Sequence, residues 1–214
     1  VVTAIRSDGF YLQETKPDNN PDTSEALLVF TVTTPTVKIG DELLVSGTVD
    51  EYYPGGMITG NLTITEIKNP SIKVLANGKA LPEPVVIGVG GRVPPSKTIE
   101  DDELKRFEPQ LDGIDFYESL ESMLVQVNNA VVVGATNAYK EIVILADEGK
   151  GAGVRSYRGG IVLREDDSNP ERIMLDDVLA ILPDVNVGDK FNKPIVGVLD
   201  YNYGNYKILP KLKP

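Results

Sequence analysis

Hydrophobic positions along this chain come in short runs that alternate with polar ones, and Gly, Pro, Asn and Asp clusters separate the runs. "VVTAI", "GFYLQE", "EALLVFTV", "DELLVSGTV" and "NLTITEI" are rich in Val, Ile, Thr and aromatics, the composition of strands on a pleated, half-buried surface. "TKPDNNPDTSE", between the second and third runs, is polar throughout and predicts a hairpin loop. After Lys73 the chain turns extended and proline-punctuated, in "ALPEPVVIG" and "GRVPPSKTIEDDELKRFEP", which argues against a continuous helix or a central strand. Strand patterns return in "SMLVQVNNAVVVGA", "KEIVILAD", "RGGIVLRED", "ERIMLDD" and "KPIVGVLDYNYGNYKILP". Only Asp115–Leu124 and Asp176–Asp184 show brief helical spacing.

The two strand-rich halves share a motif. "VKIGDELLVSGTVDEYY" and "VNVGDKFNKPIVGVLDYNY" each lead from a Gly-Asp turn into a strand holding Gly, then Asp, then tyrosines. Gly40-Asp41 matches Gly188-Asp189, Gly47 matches Gly197 and Asp50 matches Asp200. About five bent strands in so small a unit are best satisfied by closing the sheet, because closure removes exposed edges. The expectation is an all-β chain of two tandem OB-like five-stranded barrels, residues 1–75 and 121–214, joined by an extended, Pro-rich acidic linker over residues 76–120. A pair of β-sandwiches is the alternative. The first barrel starts inside a strand pattern, so an upstream part of that strand is expected to be missing.

Composition narrows the chemistry. The chain has no Cys, which removes disulfides and thiolates, and no His, which removes imidazole-based triads and the usual zinc sites. No apolar run is long enough for a membrane span. The formal net charge is -11, and Glu100–Glu121 alone carries nine acidic against two basic residues. That sign opposes simple coating of nucleic-acid phosphates, and the acidic run is expected to be a solvated connector.

Four groups of residues are candidates for binding. Tyr201, Tyr203 and Tyr206 in "DYNYGNY" could stack on bases or sugars, with Lys207, Lys211 and Lys213 placed to meet phosphates; strand alternation puts Tyr201 and Tyr203 on one face. Tyr52 and Tyr53 hold the matching place in the first copy. Arg155, Tyr157 and Arg158 in the Gly-rich stretch "GKGAGVRSYRGG" form a cationic and aromatic pair of the kind that grips phosphate and base, or else a solvated loop. Asp18, Asn20 and Asp22, backed by Ser24 and Glu25, present hard oxygens at alternating positions, a weak calcium-loop pattern that an Asx-rich turn also explains.

"GFYLQE", "PDTSEALLVFT", "VKIGDELLVSGTVDEYY", "GIDFYESLESMLVQV" and "GVLDYNYGNYKILP" together resemble the non-catalytic N-terminal region of large secreted bacterial nucleases. Those enzymes carry OB-fold modules ahead of a catalytic domain of the endonuclease/exonuclease/phosphatase superfamily. The resemblance implies an extracellular or cell-surface location and a catalytic domain downstream on the same polypeptide, with its histidines and Mg²⁺ site there. It implies for this chain an accessory role, without catalysis, in holding single-stranded or duplex DNA or in positioning the catalytic domain. A spacer that contacts only protein and a carbohydrate-binding β-module are the rival expectations.

Overall fold

The computed structural model describes residues 1–212, and Lys213, one of the expected cationic residues, lies outside them. Val2–Arg6 (β1), Gly9–Gln13 (β2) and Ala26–Phe30 (β3) form an antiparallel meander. The long strands Glu42–Tyr52 (β4) and Ile64–Ala76 (β5) make an antiparallel hairpin, and β5 then runs parallel to β3. The resulting five-stranded sheet has the order β1-β2-β3-β5-β4.

The second half uses Val85–Ile87 (β6), Leu124–Val127 (β7), Val131–Gly134 (β8), Ile142–Leu145 (β9), Ile173–Leu175 (β10), Ile195–Asn202 (β11) and Asn205–Pro210 (β12). Its seven strands are ordered β6-β7-β11-β12-β10-β9-β8. Within that order β8, β9, β10, β12 and β11 repeat the first sheet strand for strand: β8–β9 and β9–β10 antiparallel, β10–β12 parallel, β12–β11 antiparallel. The chain is therefore all-β with two mixed sheets.

Neither sheet is a closed ladder, in contrast to the expected closed barrels; in each, a seam separates the first strand from the fourth. Each seam is spanned by backbone hydrogen bonds from the repeated Gly-Asp turn. Val2 donates to the Asp41 carbonyl and Gly40 to that of Val2, both at 2.9 Å; Val132 donates to Asp189 at 2.8 Å and Gly188 to Val132 at 2.9 Å. Gly40 and Gly188 have φ of +86° and +96°, a region that glycine enters without a Cβ clash. The aspartates hold the turns: Lys38 N–H donates to Asp41 Oδ2, and Asn186 N–H to Asp189 Oδ2, each at 2.8 Å.

Period-2 alternation explains how these sheets pack. On β2 and β3, Phe10 and Val29 face the interior of the first sheet with Val2 and Val37, while the adjacent Tyr11 and Leu28 face the other way. On β11 and β12, Leu199 and Ile208 enter the second interior, and Val198 and Leu209 point outward. Those outward residues meet: Ala4, Tyr11, Leu28 and Ile64 of the first sheet share one cluster with Leu124, Val198, Tyr201 and Leu209 of the second. The units expected to stand in tandem are joined face to face.

The expected linker of residues 76–120 supplies part of the second core. Its strand β6 pairs parallel with β7, and Gly113–Glu118 forms a short helix (α1) whose Phe116 and Tyr117 are buried. Asp112 caps that helix, its Oδ1 accepting from Asp115 N–H at 3.3 Å. Arg92 anchors the approach, its guanidinium 5.2 Å from the Phe116 ring centroid and donating to Ser119 Oγ at 2.8 Å. Two other expectations fail locally. Asp176–Asp184 is not helical, because Asp176 N–H donates to Ile208 as an extension of β10, Asp176 pairs with Lys207, and Pro183 follows. Arg158–Asp166 makes only isolated bridges, Ile161 with Arg155 and Arg164 with Asp167.

Gly197 on β11 leaves no room for a side chain against β12. A Cβ there would lie 2.3 Å from the Leu209 carbonyl oxygen and 2.6 Å from Ile208 Cγ2, and Gly47 in the first sheet is equally crowded by Ile67 and Lys68. Gly197→Ala should lower unfolding free energy by about 1–3 kcal/mol in urea melts, the usual range for overpacking; an unchanged midpoint would contradict this strand geometry.

Candidate functional site

A groove of about 460 Å³ runs where the first sheet meets the tip of the β11–β12 hairpin. Its walls come from the β1–β2 turn (Arg6, Asp8), strands β3 and β5 (Leu28, Phe30, Glu66, Lys68), the loop after β4 (Tyr52, Pro54, Gly55) and the hairpin (Asp200 to Tyr203). The groove brings together Tyr52, Tyr201 and Tyr203, nominated separately at the two ends of the duplication.

Their roles differ. Asn202 pairs with Asn205, so the two-residue turn is Tyr203-Gly204, with φ of +49° and +74°. Both positive values make it a turn of the primed kind that suits hairpin twist, but a tyrosine stands where Asn or Asp is usual, at a cost of about 1–2 kcal/mol. The turn lifts Tyr203 off the strand and leaves it 77% exposed, overturning the expectation that Tyr201 and Tyr203 share a face. Tyr201 is instead buried between the sheets, its hydroxyl accepting from Leu62 N–H at 3.0 Å. Tyr206, opposite Tyr201, has its ring centroid 4.9 Å away and donates its hydroxyl to Glu118. Tyr52, 47% exposed, and Tyr203 are thus the exposed rings of the groove, Tyr203 with Lys207 Nζ over one face at 5.5 Å from its ring centroid, while Tyr53 is outside the lining.

Lys207 does not reach phosphate. It is 2% exposed and clamped between Glu141 and Asp176. Burial pulls its pKa down, but the hydrogen bonds to those two carboxylates outweigh it and raise the pKa. Two strands distant in sequence supply those partners, so nothing local signalled the burial.

The groove's own cations are matched. Arg6 Nε donates to Asp8 at 2.6 Å and its guanidinium lies 3.8 Å from Asp200, while Lys68 pairs with Asp50 at 2.7 Å. Glu66 and Asp200 are buried, and desolvation raises the pKa of both. The surface offered to a ligand is therefore two exposed rings above a floor of paired charges.

The remaining candidates lie elsewhere. Arg155 is a structural clasp, donating to the Gly159 carbonyl at 2.6 Å and 2.9 Å and to that of Glu148 at 3.1 Å; this holds up a turn whose Tyr157 and Arg158 are exposed. None of the three lines the groove. In the Asp18–Glu25 loop the side chains serve their own backbone: Asn20 N–H donates to Asp18 Oδ1 at 2.7 Å, Asp22 N–H to Asn20 Oδ1 at 3.2 Å, and Asp18 N–H to Glu25 at 3.0 Å. That is the Asx-turn pattern.

Residues 86–213 match a family model described as a domain of unknown function, DUF8508. The chain belongs to the DUF8508 family. The match opens inside β6 and takes in α1 and the whole second sheet, so its start agrees with the packing, which places the proline-rich segment in that unit. No curated protein and no solved structure matches the chain.

The acidic run, expected as a solvated connector, is partly internal to this DUF8508 unit. Glu100, Asp112 and Asp115 bring carboxylate oxygens within 4.8 Å of one another, burial pushes Asp112 up to about 6, and Asp115 accepts from Glu108 N–H at 2.6 Å. Glu121 reaches across to the first sheet, accepting from Thr65 N–H at 3.0 Å, while its other oxygen is buried without a partner.

Burial, reinforced by Glu118, pushes Glu121 up to about 9 from an ordinary value of 4.5. Between those values the folded state holds a proton that the unfolded chain has lost. This group's effect on stability therefore worsens as pH rises from about 4.5 to about 9, by at most about 1.4 kcal/mol per pH unit. Glu121→Gln, which mimics the neutral acid, should gain on the parent progressively from pH 5 to 9 in urea melts; parallel stability curves would contradict this placement.

Proposed function

We propose that this chain is the non-catalytic, OB-type accessory region of a larger secreted bacterial nuclease, and that its inter-sheet groove holds a short single-stranded segment beside a catalytic domain on the same polypeptide. The observation that carries the reading is the strand order. A meander of three strands, a parallel pairing of the third with the fifth, an antiparallel fourth and a seam bridged back to the first occur in both halves. That arrangement fits the partly open Greek-key barrel of OB modules, which bind ligands on the second and third strands and on the loops after the first and fourth. Here those positions correspond to Leu28 and Phe30, to Asp8, and to Tyr52, Pro54 and Gly55, all lining the groove. The sequence resemblance to nuclease N-terminal regions supplies the parent class.

Charge decides the kind of contact. With Arg6 and Lys68 already paired, counterion release contributes little, and stacking on Tyr52 and Tyr203 carries the affinity. Binding is then modest and only shallowly dependent on salt. The same two rings above buried carboxylates also suit a sugar, which needs stacking faces and hydroxyl acceptors but no cation; carbohydrate recognition is the second reading.

Fluorescence anisotropy with labelled oligothymidylates, run beside a glycan array, tests the choice. A saturable signal is expected, and Tyr52→Ala or Tyr203→Ala should each weaken it by roughly 5- to 150-fold, the measured worth of one base stack. No saturation with any oligonucleotide, or tyrosine variants that bind like the parent, would overturn the nucleic-acid reading; glycans that saturate in its place would establish the second.

A further inference from the structure

On the far side of Tyr201 from the groove lies a second cavity, a cleft of about 310 Å³ between α1, the β11–β12 hairpin and the loop before β5. Its aromatic wall is continuous. Tyr117 and Tyr206 stack with ring centroids 5.6 Å apart and planes 23° apart, and Tyr206 continues into Tyr201. Gly60 and Gly204 contribute backbone alone, at φ of +70° and +74°, where a side chain would be strained as well as in the way.

One polar group that lines this cleft lacks its usual partner, and one behind the cleft wall makes no hydrogen bond. Arg172 is half-buried and is the one charged residue of the lining. It donates to Asn205 Oδ1 at 3.1 Å, and among the described residues no carboxylate oxygen lies within 4.0 Å of it. Arg6, by contrast, which lines the groove, has a carboxylate at 2.6 Å. The Tyr117 hydroxyl is buried and makes no hydrogen bond, although those of Tyr201 and Tyr206 are both engaged. A buried hydroxyl left unbonded is costly, and a half-buried guanidinium prefers a bidentate oxygen pair.

The geometry points to a binding site for a planar ring that carries an anionic group: the ring lies along the wall that Tyr117 and Tyr206 form, and the anion meets the Arg172 guanidinium. The shared chemistry is that of a nucleoside monophosphate or of an aromatic carboxylate. The lining contains no carboxylate, so Arg172 is the one charge that faces the cleft, although Glu118 holds the Tyr206 hydroxyl behind the wall. The volume lies at the lower end of small-molecule sites, which suits one ring system and one acid group. The site does not depend on the groove's occupant, since its walls, apart from Tyr201, are different residues.

Titration of the described chain by ¹⁵N NMR with thymidine 5′-monophosphate, thymidine, inorganic phosphate and 4-hydroxybenzoate tests the assignment. Saturable shifts are expected at the Gly60, Tyr117 and Gly204 amides with at least one of the two ring-bearing anions, and which one responds identifies the source. Thymidine or phosphate alone should bind at least tenfold more weakly than the nucleotide. Arg172→Gln, which keeps a donor for Asn205, should weaken the responding ligand at least tenfold. Arg172→Lys should retain part of the affinity, and Tyr203→Ala should leave it within twofold. Absence of saturation by both anions, or binding that survives Arg172→Gln, would overturn the site. Failure here with intact oligonucleotide binding at Tyr52 and Tyr203 would leave the groove reading standing, and the reverse result would separate them the other way.

Discussion

The structure depends on the contact between its two sheets. Strands β2, β3, β11 and β12 are buried on both faces, one row filling each sheet's own interior and the alternate row filling the space between the sheets. Tyr201 sits in that shared layer, and the two cavities of interest lie on either side of it. Removing large apolar side chains from such a layer leaves voids that close-packed neighbours cannot fill, at a cost of several kcal/mol. Hydrogen bonds also tie the sheets together across that layer, Gln13 Oε1 accepting from Leu124 N–H at 2.8 Å and Glu121 from Thr65 N–H. The contact therefore specifies one relative placement of the halves, and the groove takes its shape from that placement.

The duplication shows how one local device can be reused. A glycine at positive φ and an aspartate that caps its own turn deliver the fourth strand to the first in both sheets. The halves then diverge. The second acquires β6 and α1 from the proline-rich segment, and its β11–β12 hairpin extends to the groove of the first sheet. There Tyr203 from one copy faces the same space as Tyr52 from the other.

Much of this was legible in the chain. Strand positions followed from short alternating runs, and the Gly-Asp repeat identified the duplication, though not the open seam that the turn bridges. The contrast with what stayed hidden is physical. Lys207 looked like a free cation because Glu141 and Asp176 reach it only through tertiary pairing. "DYNYGNY" read as strand with Tyr201 and Tyr203 on one face, and the turn at Tyr203-Gly204, set by the pairing of Asn202 with Asn205, moved Tyr203 to a tip. The acidic, proline-rich segment looked solvated, yet Asp112, Asp115 and Glu121 are spent on backbone amides at α1 and at the sheet contact. Charge composition alone does not reveal such pairing, and neither do the aromatic wall and the lone Arg172 of the cleft, which come from separate stretches of sequence.

Differential scanning calorimetry of the chain addresses the shared layer most directly. If the sheets are cooperative through that layer, one transition is expected, with calorimetric and van't Hoff enthalpies in agreement. Two resolved transitions, each following its own sheet, would contradict it.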